Sequence, residues 1–150
     1  MAQLKNSFLR SEKLQRHISF LYSKGGLYKC FNGNLLFHGC IPMDGNGEFL
    51  QFSFGGQTLS GKALMDFCET VAREGYYARE GTQERQFGKD FLWFLWCGRN
   101  SPSFGRDHIA TFERRLIADQ STWAEPKNPY YSYYNEDEVC VRILREFGLE

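Results

Sequence analysis

Asn32-Gly33-Asn34-Leu35-Leu36-Phe37-His38-Gly39-Cys40-Ile41-Pro42 is the stretch on which the fold turns. Asn-Gly stands between two apolar runs, Leu27 to Phe31 and Leu35 to Phe37, and this is the strongest short-range signal for a β-hairpin. His38 then falls where the second strand runs out, the end at which α/β sheets carry ligand and metal groups. Gly39 has no side chain, so a ligand or another backbone can approach closely. Taken by itself, His38 is either an ordinary polar strand end or a ligand, and the local pattern leaves both open.

Outward from the hairpin the chain reads as mixed helix and strand. Residues 3–22 space Leu4, Phe8, Leu9, Leu14, Ile18 and Leu21 as one helix or two short ones, with Ser11 a candidate N-cap. Ser23-Lys24-Gly25-Gly26 ends that helical stretch. Glu48 to Phe54 has strand composition and is expected to form an edge strand bounded by Gly55-Gly56. Ser60 to Glu80 is the clearest helix, with Ala63, Leu64, Phe67, Val71, Cys68 and Tyr76 toward one side. Lys89 to Trp96 is apolar nearly all round and is read as buried. Gly98 to Gly105 is loop, Asp107 to Ala118 is expected to be helical, and Asn128 to Tyr134 irregular. Asn135 is the expected cap of a last helix that runs through Phe147 and stops at Gly148. The fold class is thus α/β, or more narrowly α+β, arranged as helix, hairpin and edge strand over residues 1–59 and mainly helix over 60–150. Two or three strands do not make a stable sheet by themselves. The hairpin therefore calls for a larger sheet to join.

Composition narrows the function. Hydrophobic residues make up 42% and aromatics 17% of the 150, which excludes a disordered chain. Eighteen basic residues balance 18 acidic ones, so no nucleic-acid binder held by bulk charge is expected. No apolar run reaches the roughly 20 residues that span a bilayer. The first residues lack a signal peptide's apolar core, and a cytoplasmic protein outside the membrane is the expectation. Five cysteines (Cys30, Cys40, Cys68, Cys97 and Cys140) are scattered without a C-x-x-C pair, so each is read as a small buried hydrophobe. A Cys-x5-Arg phosphatase is excluded, because the sixth residue after Cys40 is Asn46 and after Cys97 is Ser103.

Longer blocks carry a resemblance. They are Phe20-Leu21-Tyr22-Ser23-Lys24-Gly25 through Pro42, Gly61-Lys62-Ala63-Leu64-Met65-Asp66-Phe67-Cys68, Phe94 through Pro102, Thr111-Phe112-Glu113-Arg114, Lys127-Asn128-Pro129-Tyr130-Tyr131, and Glu146-Phe147-Gly148-Leu149. Together they resemble the class 3 fructose-1,6-bisphosphatases of bacteria, members of the calcineurin-like metallophosphoesterase superfamily, over nearly the whole chain. The resemblance implies a metallophosphoesterase sandwich, of which this chain would supply a hairpin and a mostly helical insert. It implies hydrolysis of fructose 1,6-bisphosphate in gluconeogenesis at a two-ion, manganese-type centre, and control by small phosphorylated effectors. In such a centre two divalent ions share an activated water and polarise a phosphoryl oxygen.

The resemblance also implies which residues serve the site. A strand ending in His-Gly supplies one imidazole ligand, which assigns metal ligation to His38. The superfamily's Asp-x-His, Gly-Asp-x-x-Asp-Arg-Gly, Gly-Asn-His-Asp and Gly-His-x-Pro motifs are absent from this sequence. The expectation is therefore an internal segment of a longer enzyme, inactive alone, with Met1 an added start and Leu149-Glu150 either native or a cloning scar. For the substrate phosphate the loop after Trp96 offers Arg99, Asn100, Ser101 and Arg106, guanidinium forks and small donors that otherwise read as exposed loop polar groups. Asn128, Tyr130 and Tyr131 read as an aromatic cluster, His17 and His108 as structural or surface residues, and Asp137 with Glu138 as a solvated helix face. Two other readings remain: a metallophosphatase of different substrate (phosphoprotein or dinucleotide polyphosphate), and a non-catalytic interaction domain whose exposed aromatics drive self-association.

Overall fold

The computed structural model describes residues 2–149; the readings of Met1 as an added start and of Glu150 as a scar lie outside the described residues. The chain is α+β. Helix α1 (Ala2–Arg10) meets α2 (Glu12–Lys24) at Ser11, whose hydroxyl accepts the Leu14 N–H at 3.4 Å. Strands β1 (Tyr28–Phe31) and β2 (Asn34–Phe37) pair antiparallel, Tyr28 opposite Phe37 and Phe31 opposite Asn34. Asn32 and Gly33 both take positive φ, 51° and 72°, as a two-residue hairpin turn matched to strand twist requires.

The expected strand from Glu48 to Phe54 forms only in its second half. Strand β3 (Phe52–Phe54) turns at Gly55-Gly56 and pairs with β4 (Gln57–Leu59), so the two glycines join strands rather than bound one. The earlier half is occupied elsewhere: Leu50 donates to the Pro42 carbonyl at 2.9 Å, and Phe49 bridges Met43. The two hairpins are separate two-stranded sheets.

Helices α3 (Gly61–Tyr77) and α4 (Gln83–Cys97) form an antiparallel pair. Ala63 is exposed and Met65 fully buried, a rotation of the expected α3 face that turns Met65 toward the hairpin. Helix α4 is not buried all round. Phe91 and Leu95 enter the core, while Trp93 is 61% and Trp96 64% exposed. Over Asp107 to Ala118 only α5 (Glu113–Leu116) is helical. The Asp107 N–H is bound to the Pro126 carbonyl at 2.9 Å and the Ala110 N–H to the Glu125 carboxylate at 2.8 Å, which ties both donors to distant residues instead of to a helix. A single 3-10 turn (Gln120–Trp123), the short α6 (Tyr130–Tyr133) and α7 (Asp137–Glu146) complete the chain, and residue 136 rather than Asn135 stands at the α7 N-cap. Gly148, at φ 74°, ends it.

Two cores result. Ile41, Met43, Met65, Val139, Ile143 and Phe147 join the first hairpin's inner face, α3 and α7. Leu64, Cys68, Val71, Phe91 and Leu95 join α3, α4 and the second hairpin, over which Phe52, Phe54, Phe67, Phe91 and Phe94 interlock edge to face or stacked. Distant residues fasten these parts. Glu146 of α7 accepts the Lys62 N–H at 2.9 Å, putting a carboxylate at the positive N-terminus of α3. Glu69 accepts the Leu27 N–H at 2.7 Å, and Arg73 bonds the Tyr22 and Gly25 carbonyls, which lays the α2–β1 link on α3. Among the described residues no helix is long and apolar enough to cross a membrane.

Candidate functional site

Strand β2 hands His38 to the surface and then dives. Cys40, Ile41, Pro42 and Met43 are fully buried, and burial pushes the Cys40 thiol up to about 12, which leaves it protonated and unsuited to act as a nucleophile. Cys68 is buried likewise, but Cys30 is exposed and Cys97 and Cys140 are half-buried, so the uniform reading of the cysteines as core holds for two of them. At Gly39 the close approach comes from backbone. Its φ is 87°, a Cβ there would overlap the Pro102 carbonyl oxygen, and the next N–H, that of Cys40, donates to that oxygen at 2.8 Å. The strand end is thereby seated on the loop between α4 and α5.

That loop is tightly bound to its own helix. Ser101, fully buried, donates to the Leu95 carbonyl at 2.8 Å, and Ser103 bonds the same oxygen. Asn100 adopts φ 58°, the left-handed region that asparagine tolerates, and its N–H reaches the Arg106 carbonyl at 2.9 Å. Arg99, largely exposed, pairs with Asp107, and Arg106 pairs with Glu125. The His108 ring and the Arg99 guanidinium hold the Asp107 carboxyl below its usual range. The Ala110 N–H, Arg114 and Arg106 do the same for Glu125.

Asn128 ties the site together. Only 1% exposed, its Oδ1 accepts the Met43 and Tyr130 N–H groups at 2.9 Å each. Its Nδ2 donates to the Met43 carbonyl at 3.2 Å and to Asn100 Oδ1 at 3.1 Å. Tyr131 donates to the Gly39 carbonyl at 3.1 Å across the bare face of Gly105. His38–Gly39, the 98–106 loop and residues 125–131 thus converge, although the sequence offered no spacing that links them. Nothing in the spacing of Glu125 or Lys127 marks either as a site residue; the sequence signal is that Lys127 opens the block Lys127-Asn128-Pro129-Tyr130-Tyr131. His17 is exposed on α2, and His108 is exposed with Nδ1 3.0 Å from Asp107.

Among the described residues no three His, Cys, Asp or Glu side chains converge as a group that could hold a metal ion, at His38 or elsewhere.

A family model described as Firmicute fructose-1,6-bisphosphatase matches residues 1–150. The chain is 47% identical over 148 residues to a Clostridium botulinum (strain Hall) protein named fructose-1,6-bisphosphatase class 3, covering 99% of this chain and 22% of that protein. A protein of the same name from Clostridium novyi (strain NT) is 46% identical over 148 residues, with the same coverage of 99% and 22%. This chain therefore spans 22% of the length of these curated relatives. No solved structure matches it significantly. The chain belongs to the Firmicute fructose-1,6-bisphosphatase family.

Proposed function

We propose that this chain is part of a metal-dependent phosphoric monoester hydrolase that converts fructose 1,6-bisphosphate to fructose 6-phosphate and phosphate. The observation that carries the reading is the 47% identity, over 99% of this chain, to a protein named for that activity. The setting would be cytoplasmic gluconeogenesis, with small phosphorylated metabolites as effectors. His38 supplies one imidazole to a manganese-type, two-ion centre whose other ligands come from outside this chain. Arg99, Asn100 and Arg106, on the loop against which Gly39 is seated, orient the substrate phosphate. The parent fold is a calcineurin-like sandwich, and the hairpin favours it: Phe31 and Leu36, on the side of the hairpin away from Phe147, are 65% and 55% exposed, as suits a strand pair covered on both faces.

The test is turnover by the natural protein that carries this sequence. With manganese it should release phosphate from fructose 1,6-bisphosphate, and His38→Ala should lower kcat and the bound metal together. Absence of bisphosphatase activity from that protein overturns the assignment. The 150-residue chain alone should be inactive with manganese, since one ligand does not hold a two-ion centre; robust turnover by it would refute the one-ligand role of His38.

A further inference from the structure

Both arginines of the phosphate loop already face carboxylates, Arg99 facing Asp107 and Arg106 facing Glu125. Glu125 is further shared with Arg114 at 3.5 Å and with the Ala110 N–H at 2.8 Å. Lys127 differs. It stands directly across an antiparallel bridge from Arg106, so the two side chains leave the same side of the backbone pair. Like charges opposite one another in such a pair repel. Yet Lys127, exposed, forms no ion pair among the described residues. Its ammonium is carried 5.3 Å from the centroid of the Tyr131 ring, and the hydroxyl of that ring is anchored on the Gly39 carbonyl at 3.1 Å. A cation is thus held on an aromatic plate whose hydroxyl is anchored on Gly39, the residue that follows His38 in the chain. Arg99, Arg106 and Arg114 share Asp107 and Glu125 among them, so with Lys127 four cationic side chains stand against two paired carboxylates among the described residues.

We propose that Lys127 binds a phosphoryl group of the sugar phosphate, with Arg106 beside it held in place by Glu125. The inference rests on the bisphosphatase reading and names a substrate-binding residue within it. Lysine binds phosphate as a point charge with rotatable donors, which suits a side chain positioned only by a ring face.

The experiment uses the natural full-length protein with Lys127→Met and Lys127→Arg. Methionine keeps an aliphatic stem over Tyr131 and removes the charge, so folding is preserved, checked by an unchanged melting curve. Loss of a charge-assisted hydrogen bond to substrate predicts a rise in KM of about tenfold for Lys127→Met, with kcat held within about twofold. Lys127→Arg should recover most of that loss, and inorganic phosphate should inhibit Lys127→Met about tenfold more weakly by the same reasoning. An unchanged KM and unchanged phosphate affinity in Lys127→Met overturn the inference. If the wild type proves inactive on the bisphosphate, the functional reading fails separately. Calorimetric titration of inorganic phosphate into wild type and Lys127→Met then still decides the role of Lys127, and equal affinities reject it.

Discussion

Asn128 satisfies every hydrogen-bonding position its amide has toward the protein: two N–H groups accepted, two oxygens donated to, all with the side chain 1% exposed. Such a residue is worth more than its own bonds, because removing it strands the Met43 N–H and carbonyl in the core. An unsatisfied buried group costs about 1–3 kcal/mol, so Asn128→Ala should lower stability by about 3 kcal/mol in urea unfolding. Asn128→Asp should be at least as damaging. It retains the acceptor oxygens but loses both donations and buries a charge with no cation as bonding partner. A loss under about 1 kcal/mol for Asn128→Ala would show that the three segments do not depend on this side chain.

At the scale of elements, the α3–α4 pair sets an opposition between propensity and packing. Gly75 lies in the last turn of α3 and Gly88 inside α4, helical positions where glycine to alanine ordinarily stabilises by up to about 1 kcal/mol. Here the two glycines face each other so closely that a Cβ on either would overlap the other's Cα. Both contacts are backbone and cannot swing aside, and overpacking of this kind costs roughly 1–3 kcal/mol. The clash outweighs the gain. Gly75→Ala and Gly88→Ala should therefore each lower the melting temperature, and a raised one in either would mean that the helices can part without loss. Gly75 reads in sequence as a weak point in the last turn; in the fold it is where the α4 backbone abuts α3 at Gly88.

For the molecule as a whole, the distribution of apolar surface matters more than its amount. Leu4, Phe8, Phe20, Phe31, Leu36, Trp93, Trp96, Phe112 and Leu116 are each more than half exposed. Single exposed hydrophobes are ordinary, but Trp93 and Trp96 form a contiguous aromatic pair with centroids 5.1 Å apart. The isolated chain should self-associate through this surface. Sedimentation velocity should give a species that grows with concentration, and replacing both tryptophans with glutamine should diminish it. A monodisperse monomer at all concentrations would count against association.

What the sequence determined by itself is what local chemistry specifies. Asn32-Gly33 required a positive-φ turn and with it the first hairpin; Ser11 offered an N-cap but left one helix or two open; the periodicity from Gly61 required α3; the quoted blocks carried the family. The tertiary structure decided whatever depends on a partner far along the chain. Asp107 and Ala110 gave their N–H groups to Pro126 and Glu125, and the helix expected from Asp107 survived only as α5. The N-terminus of α3 found its carboxylate 84 residues away in Glu146. Gly39 is bare for the sake of Pro102, and Arg99 and Arg106 met carboxylates while Lys127 did not. Turns and helical faces are set by neighbours within about four residues, which a sequence displays directly. Ion pairs, caps and close backbone approaches between distant segments are set by packing, and only the folded chain brings those groups together.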